Sequence, residues 1–185
     1  MTQDVYWIDG VSPGRLGIIP RPRGGDWLKR EVQAWRAANI DTVVSLLTPD
    51  ENTELDLVEE ETECRDAGIQ FHSFPIPDCG LPSSRASLEQ VVAALRSDLE
   101  LGKSVVAHCR QGIGRSALLL ASVLVRLGEH PDHAFRQIED ARGQPVPDTD
   151  AQRDWVRGYA EILASAAQQS AAADPDESGP LSRRR

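Results

Sequence analysis

Ser104 to Leu127 reads S-V-V-A-H-C-R-Q-G-I-G-R-S-A-L-L-L-A-S-V-L-V-R-L, and this stretch decides the fold. Val105, Val106 and Ala107 form a continuous apolar run, as a central parallel strand covered on both faces requires. From Ser116 to Leu127 the chain is apolar almost all round, the pattern of a helix inside a core. Gly128 is placed to stop that helix. Between strand and helix lies the tight loop Cys109-Arg110-Gln111-Gly112-Ile113-Gly114-Arg115. Open α/β sheets bind their ligands at such a strand's carboxyl end.

The loop has the parts of an anion cradle. Gly112 and Gly114 permit unusual dihedrals, so successive N–H groups can converge on one point. The helix starting near Ser116 adds its N-terminal partial positive charge. Arg115 offers a planar fork of donors that matches two phosphate oxygens. Cys109 sits in the same field, which favours the thiolate. A nucleotide-binding G-x4-G-K-[ST] loop is excluded, because no Lys follows the glycines. The competing interpretation is a structural Cys ending a buried strand, with an unrelated Arg six residues on.

His108-Cys109-x5-Arg115-Ser116 resembles the H-C-x5-R-S signature of the protein tyrosine phosphatase superfamily. The ending G-I-G-R-S is similar to the dual-specificity branch, near the kinase-associated phosphatases. The resemblance covers residues 1–165. It implies a cysteine-phosphatase fold, with Cys109 as nucleophile and residues 110–115 (Arg110, Gln111, Gly112, Ile113, Gly114 and Arg115) holding the phosphate. It also implies a general acid, an Asp on a loop about 30 residues before the nucleophile, which points to Asp78. Asp50, Asp148 and Asp150 compete for that role, and Asp78 could instead be a turn residue satisfying its own backbone. Ser116 would donate to the Cys109 sulfur, cap the helix, or both. His108 would orient the loop through backbone contacts. Gln152 resembles the family's water-positioning Gln, against a plain solvated position on a helix.

Composition narrows the function classes. A chain of 185 residues has room for one domain with a full core. The net charge of -9 argues against nucleic acid and anionic membrane as general partners. Arg carries the positive charge, since Lys29 and Lys103 are the lysines among 20 basic residues. Three cysteines, Cys64, Cys79 and Cys109, suggest no disulfide framework. Either of the first two could pair with Cys109 on oxidation, although two inert thiols is the simpler reading. The N-terminus lacks a signal-peptide pattern, and no stretch is long and apolar enough to span a bilayer. A monomer in the cytoplasm is expected. No cofactor is implied, and no H-E-x-x-H or His/Cys cluster offers a metal site.

Outward from the loop, strands alternate with helices. Strands are expected at 5–8 and 16–19 (a hairpin), 42–47 and 69–74. Arg21 and Arg23 follow the hairpin, as solvated side chains or as part of the pocket rim. Asp26 would cap a helix carrying Trp27, Leu28, Val32 and Trp35 on its inner face, ended by Asn39. Residues 49–53 read as a turn. Residues 55–67 read as an acidic helix, with Glu59, Glu60, Glu61 and Glu63 on a solvated face. The stiff loop P-I-P-D-C-G-L-P-S (75–83) carries Asp78. Amphipathic helices follow at 84–101, from Pro131, and after a cap at Asp148 or Thr149. Residues 166–185 are small and polar and read as a disordered tail. The whole is a single α/β domain, a central, largely parallel but mixed sheet flanked by helices.

The reading that results is a phosphatase that hydrolyses phosphotyrosine, with phosphoserine and phosphothreonine as further substrates, through a cysteinyl-phosphate. A phosphoprotein or phosphopeptide is the expected partner. The alternatives are a phosphatase for small-molecule or lipid phosphates, a phosphoprotein-binding pseudophosphatase, and a rhodanese-like sulfurtransferase. The last is weakest, since its Cys loop usually lacks the Gly-x-Gly-Arg-Ser ending.

Overall fold

A computed structural model describes residues 5–173. Five strands form one sheet in the order β1-β2-β5-β3-β4. β1 (Tyr6–Ile8) pairs antiparallel with β2 (Arg15–Ile19) as the expected edge hairpin. β2, β5 (Ser104–His108), β3 (Thr42–Ser45) and β4 (Gln70–Ser73) run parallel, with Leu16 opposite Val105 and Val44 opposite Ala107. Every residue of β3 and β5 is buried, which is why these strands read as continuous apolar runs.

Alternate residues of each strand feed two core layers. On one face, Leu16, Ile18, Val44, Val105 and Ala107 pack against four helices. These are α4 (Arg85–Glu100), α5 (Gly114–Arg126), α6 (Pro131–Arg142) and α7 (Asp150–Ala173). On the other, Ile19, Val43 and Val106 pack against α1 (Leu28–Ala37) and α3 (Glu60–Asp66). α5 is buried from Gly114 to Val125, as its all-round apolar sequence requires.

Several local expectations are corrected. Residues 49–53 are not a turn but most of a short helix, α2 (Pro49–Glu54). The Thr48 hydroxyl accepts the Glu51 N–H while the Glu51 carboxylate accepts the Thr48 N–H, a reciprocal cap. The acidic helix is shorter than 55–67, because Asp56 takes a positive φ of 53° and α3 begins only at Glu60. Asp26 does not cap α1 but lies in a 3-10 turn (Gly25–Trp27). Trp27 is 49% exposed rather than internal, with the Arg23 guanidinium over its ring. Thr149, not Asp148, caps α7, accepting the Gln152 N–H at 3.2 Å. α7 continues to Ala173, so the chain stays helical past the expected boundary at 165; residues 174–185 lie outside the described residues. Among the described residues no helix is long and apolar enough to cross a membrane.

Candidate active site

The carboxyl ends of β2, β3, β4 and β5 open onto one side of the molecule, and the loops there build a cavity. It has a volume of about 350 Å³ and is lined by Asp78, Cys79, Cys109, Arg110, Gln111, Arg115 and Asp148. The β5–α5 loop is its floor. Gly112 takes a φ of +67° and crosses β2 so closely that a side-chain Cβ would lie 2.5 Å from the Ile19 carbonyl oxygen. Only glycine meets both demands. Arg142 on α6 reaches under the loop, donating from Nε to the Gly112 carbonyl at 3.0 Å and from its terminal nitrogen to the Gln111 carbonyl at 3.0 Å. Its guanidinium lies over the Tyr6 ring. The two carbonyls are thereby held on the outer side of the loop. The amides of Ile113 and Ser116 address the Cys109 sulfur on the inner side.

Cys109 is 4% exposed. Burial raises the thiol pKa, but the Ser116 hydroxyl and amide, the Ile113 amide and the Arg115 charge together outweigh burial and lower it. The Ser116 hydroxyl is fully buried and has no other hydrogen-bond partner. The donors around the sulfur thus favour the thiolate more than an ordinary thiol's surroundings do, and the thiolate is the form that can attack an electrophile bound above it.

Arg115 is 1% exposed and held from behind. Its two terminal nitrogens donate to the two carboxylate oxygens of Glu51 at 2.7 and 3.0 Å, and one also donates to the Ile76 carbonyl at 2.9 Å. Burial disfavours the Glu51 charge, yet Arg115 and the Thr48 N–H hold its carboxyl down at about 2. The pair fixes the plane of the guanidinium. The terminal nitrogen that donates to Glu51 Oε1 also lies 3.1 Å from Asp78 Oδ1.

Asp78 is 68% exposed, on the β4–α4 loop over the cavity. Of its competitors, Asp148 lines the same cavity and Asp50 and Asp150 do not. Arg110 stands at the rim, where Glu54 at 2.7 Å and Glu51 at 3.5 Å engage its charge. Gln152 is neither solvated nor in the cavity. It is fully buried and donates its amide to the Gly80 carbonyl at 3.1 Å, bracing the loop that carries Asp78. Arg23 is not free in solvent but bonds Glu31 at 2.7 Å.

His108 is fully buried. Its Nδ1 lies 3.4 Å from the Cys109 carbonyl, and its Nε2 lies 2.8 Å from Glu60 Oε1, outside hydrogen-bond alignment. Burial lowers its pKa, but the contact with Glu60 and the charge and carbonyl of Cys109 together outweigh burial and raise it, which favours the imidazolium beneath the loop. Glu60, read as part of a solvated run, is 1% exposed. Cys64 belongs to the other core layer from Cys109, its thiol pushed up by burial and by Glu60 and Glu63. Of the two candidate resolving cysteines only Cys79 shares the cavity.

Sequence reasoning missed Glu51, Glu60 and Arg142. The pattern Thr48-Pro49-Asp50-Glu51 is a helix-start signal that leads to Glu51. Nothing in the sequence marks the other two.

Residues 19–129, more than half of the chain, match the family described as "Tc-R-P: Polymorphic toxin system, DSP-PTPase phosphatase". Cyclin-dependent kinase inhibitor 3 of Rattus norvegicus is 31% identical over 100 residues, 53% of this chain and 47% of that protein. The chain therefore spans about half the length of the curated relatives it matches. A kinase associated phosphatase, solved with its catalytic-site cysteine replaced by serine, superposes with a TM-score of 0.80 at 22% identity, covering 89% of this chain and 98% of that one. PTPMT1 in complex with PI(5)P superposes with a TM-score of 0.69 at 19% identity, covering 82% and 94%. At these identities the two structures share the fold.

Proposed function

The chain belongs to the DSP-PTPase phosphatase family, a dual-specificity branch of the protein tyrosine phosphatase superfamily, and we propose that it hydrolyses phosphotyrosine in proteins or peptides, with phosphoserine and phosphothreonine as further substrates. The observation that carries this reading is the Cys109 thiol, its pKa lowered by the loop amides and Ser116, facing the same cavity as an Arg115 whose plane is fixed by Glu51. The Cys109 sulfur attacks phosphorus in line, the P–O bond to the alcohol or phenol breaks, and Asp78 protonates the departing oxygen. Water then cleaves the cysteinyl-phosphate. The loop amides and Arg115 hold the charge of the transferring phosphoryl, so the chemistry calls for no metal.

The rim favours a singly phosphorylated peptide over a polyanionic lipid headgroup. Two arginines line the cavity, and each already meets a carboxylate: Arg115 meets Glu51 and Asp78, Arg110 meets Glu51 and Glu54. Asp148 adds a further negative charge. The test is the relative turnover of phosphotyrosine peptide, phosphothreonine peptide and phosphoinositide headgroup. Peptide turnover well above headgroup turnover is expected. Preference for the headgroup would overturn the substrate assignment, and binding of every substrate without turnover would make the protein a phosphoprotein-binding module.

A further inference from the structure

The two-step reaction needs two proton transfers, one to the leaving oxygen and one from the hydrolytic water. Asp78 is placed for the first. Gln152, the residue that the sequence suggests for the water, does not line the cavity: it is buried, and its amide nitrogen donates to the Gly80 carbonyl. Besides Asp78, the other carboxylate lining the cavity is Asp148.

Asp148 is fixed against the loop itself. Its Oδ2 lies 1.8 Å from where a Cβ on residue 114 would stand, so the carboxylate sits where only glycine leaves room, facing the amide that opens α5. The chain on either side is anchored. Arg153 donates to the Val146 carbonyl at 2.7 Å, and Thr149 caps α7. Asp78, by contrast, rides on an exposed loop. The leaving oxygen and the hydrolytic water occupy the same position in turn, opposite the sulfur. A carboxylate seated on the loop stays in reach of that position after the alcohol has left.

We infer that Asp148 is a second catalytic carboxylate of this site, which binds the hydrolytic water opposite the Cys109 sulfur and takes its proton, while Asp78 serves the leaving oxygen. The inference rests on the phosphatase reading. In the step, the water oxygen bonds to phosphorus as the P–S bond breaks. The electron pair leaves with the sulfur, restoring the Cys109 thiolate. The water proton passes to the Asp148 carboxylate, inorganic phosphate departs, and the proton returns to solvent across the exposed side of Asp148. Burial and then the charge of Asp78 raise the proton affinity of Asp148, against the opposing effects of Arg115 and the Gly114 amide. Asp78 is negative once it has given up its proton, so that push is greatest in the phosphoenzyme, when the base is needed.

Rapid mixing of the full chain with p-nitrophenyl phosphate tests this, reading nitrophenol release and the phosphate trapped on Cys109 by acid quench. Asp148→Asn should release about one nitrophenol per site quickly, then turn over roughly 10²-fold below wild type, with phosphocysteine accumulating. Vanadate should still bind. Asp78→Asn should accumulate none. Wild-type turnover in Asp148→Asn overturns the inference. So does a loss that grows with leaving-group basicity without accumulation, because Asp148 would then serve the leaving oxygen. If the Asn variant loses vanadate binding, Asp148→Ser, which removes the carboxylate in a smaller side chain, is read by the same criteria. A wild-type chain inert to every phosphomonoester overturns the phosphatase reading and this inference with it, whereas an active wild type with an unaffected Asp148→Asn overturns the role of Asp148 alone.

Discussion

The Cys109 thiol is poised between burial, which favours the neutral thiol, and short-range donors, which favour the thiolate and lower its pKa. Ser116 is the largest of those donors, so its removal has a signed consequence. Ser116→Ala should move the pH midpoint of Cys109 alkylation by iodoacetamide upward, toward that of an ordinary thiol near ~8.5. A midpoint that stays in place would take Ser116 out of the balance. Asp78 is tested through its leaving group. Asp78→Asn should lose roughly 10²–10⁴-fold on phosphotyrosine and far less on p-nitrophenyl phosphate, whose phenol departs unaided. An equal loss on both would mean that Asp78 only shapes its loop. Cys109, Arg115 and Ser116 were legible because they are contiguous and their spacing is itself the geometry of the loop. Glu51 was not, since it meets Arg115 across 64 residues and only the folded sheet brings the two together.

Elements with a private sequence signal were legible: the buried strands β3 and β5, the apolar helix α5, and the amphipathic helix α4. α2 was read as a turn because Pro49, Asp50 and Asn52 are turn formers, and the reciprocal cap between Thr48 and Glu51 overrides them. That short helix matters beyond its size, because Glu51 both caps it and pairs with the buried Arg115. Glu51→Ala should therefore destabilise the fold by about 3–5 kcal/mol, the range for stripping one partner from a buried ion pair. It should also weaken vanadate binding, as the guanidinium loses its fixed plane. Chemical denaturation alongside vanadate titration checks both. A stable variant with normal binding would make α2 a bystander. Arg142 belongs to the same scale: α6 was legible as a helix, but not that its last turn clamps the loop carbonyls.

Across the whole molecule, the sheet separates two core layers, and the site draws on both. Cys109 lies with α4 to α7, while His108, one residue before it, meets Glu60 of α3 on the opposite side. The alternation of a buried strand sets neighbouring side chains on opposite faces, so a charge run on a distant helix came to lie beneath the loop. The acidic run gave no sign of this, because a solvated glutamate and a buried one look alike in sequence. The Glu60 charge raises the His108 pKa in the folded state despite burial. Stability from that proton is present in full below the ordinary histidine value of about 6.5 and is lost as pH rises through the raised one. The gap in Tm between wild type and Glu60→Gln should accordingly be widest near pH 6 and narrow in alkali, and a gap that widens with pH would contradict the pairing. The central claim, that Cys109 is the nucleophile in a cradle built by other groups, is tested most directly by measuring phosphotyrosine turnover and vanadate affinity together in Cys109→Ser. The account predicts that turnover is abolished while vanadate affinity stays within about tenfold of wild type, because amides and Arg115 hold the anion; substantial residual turnover would contradict it.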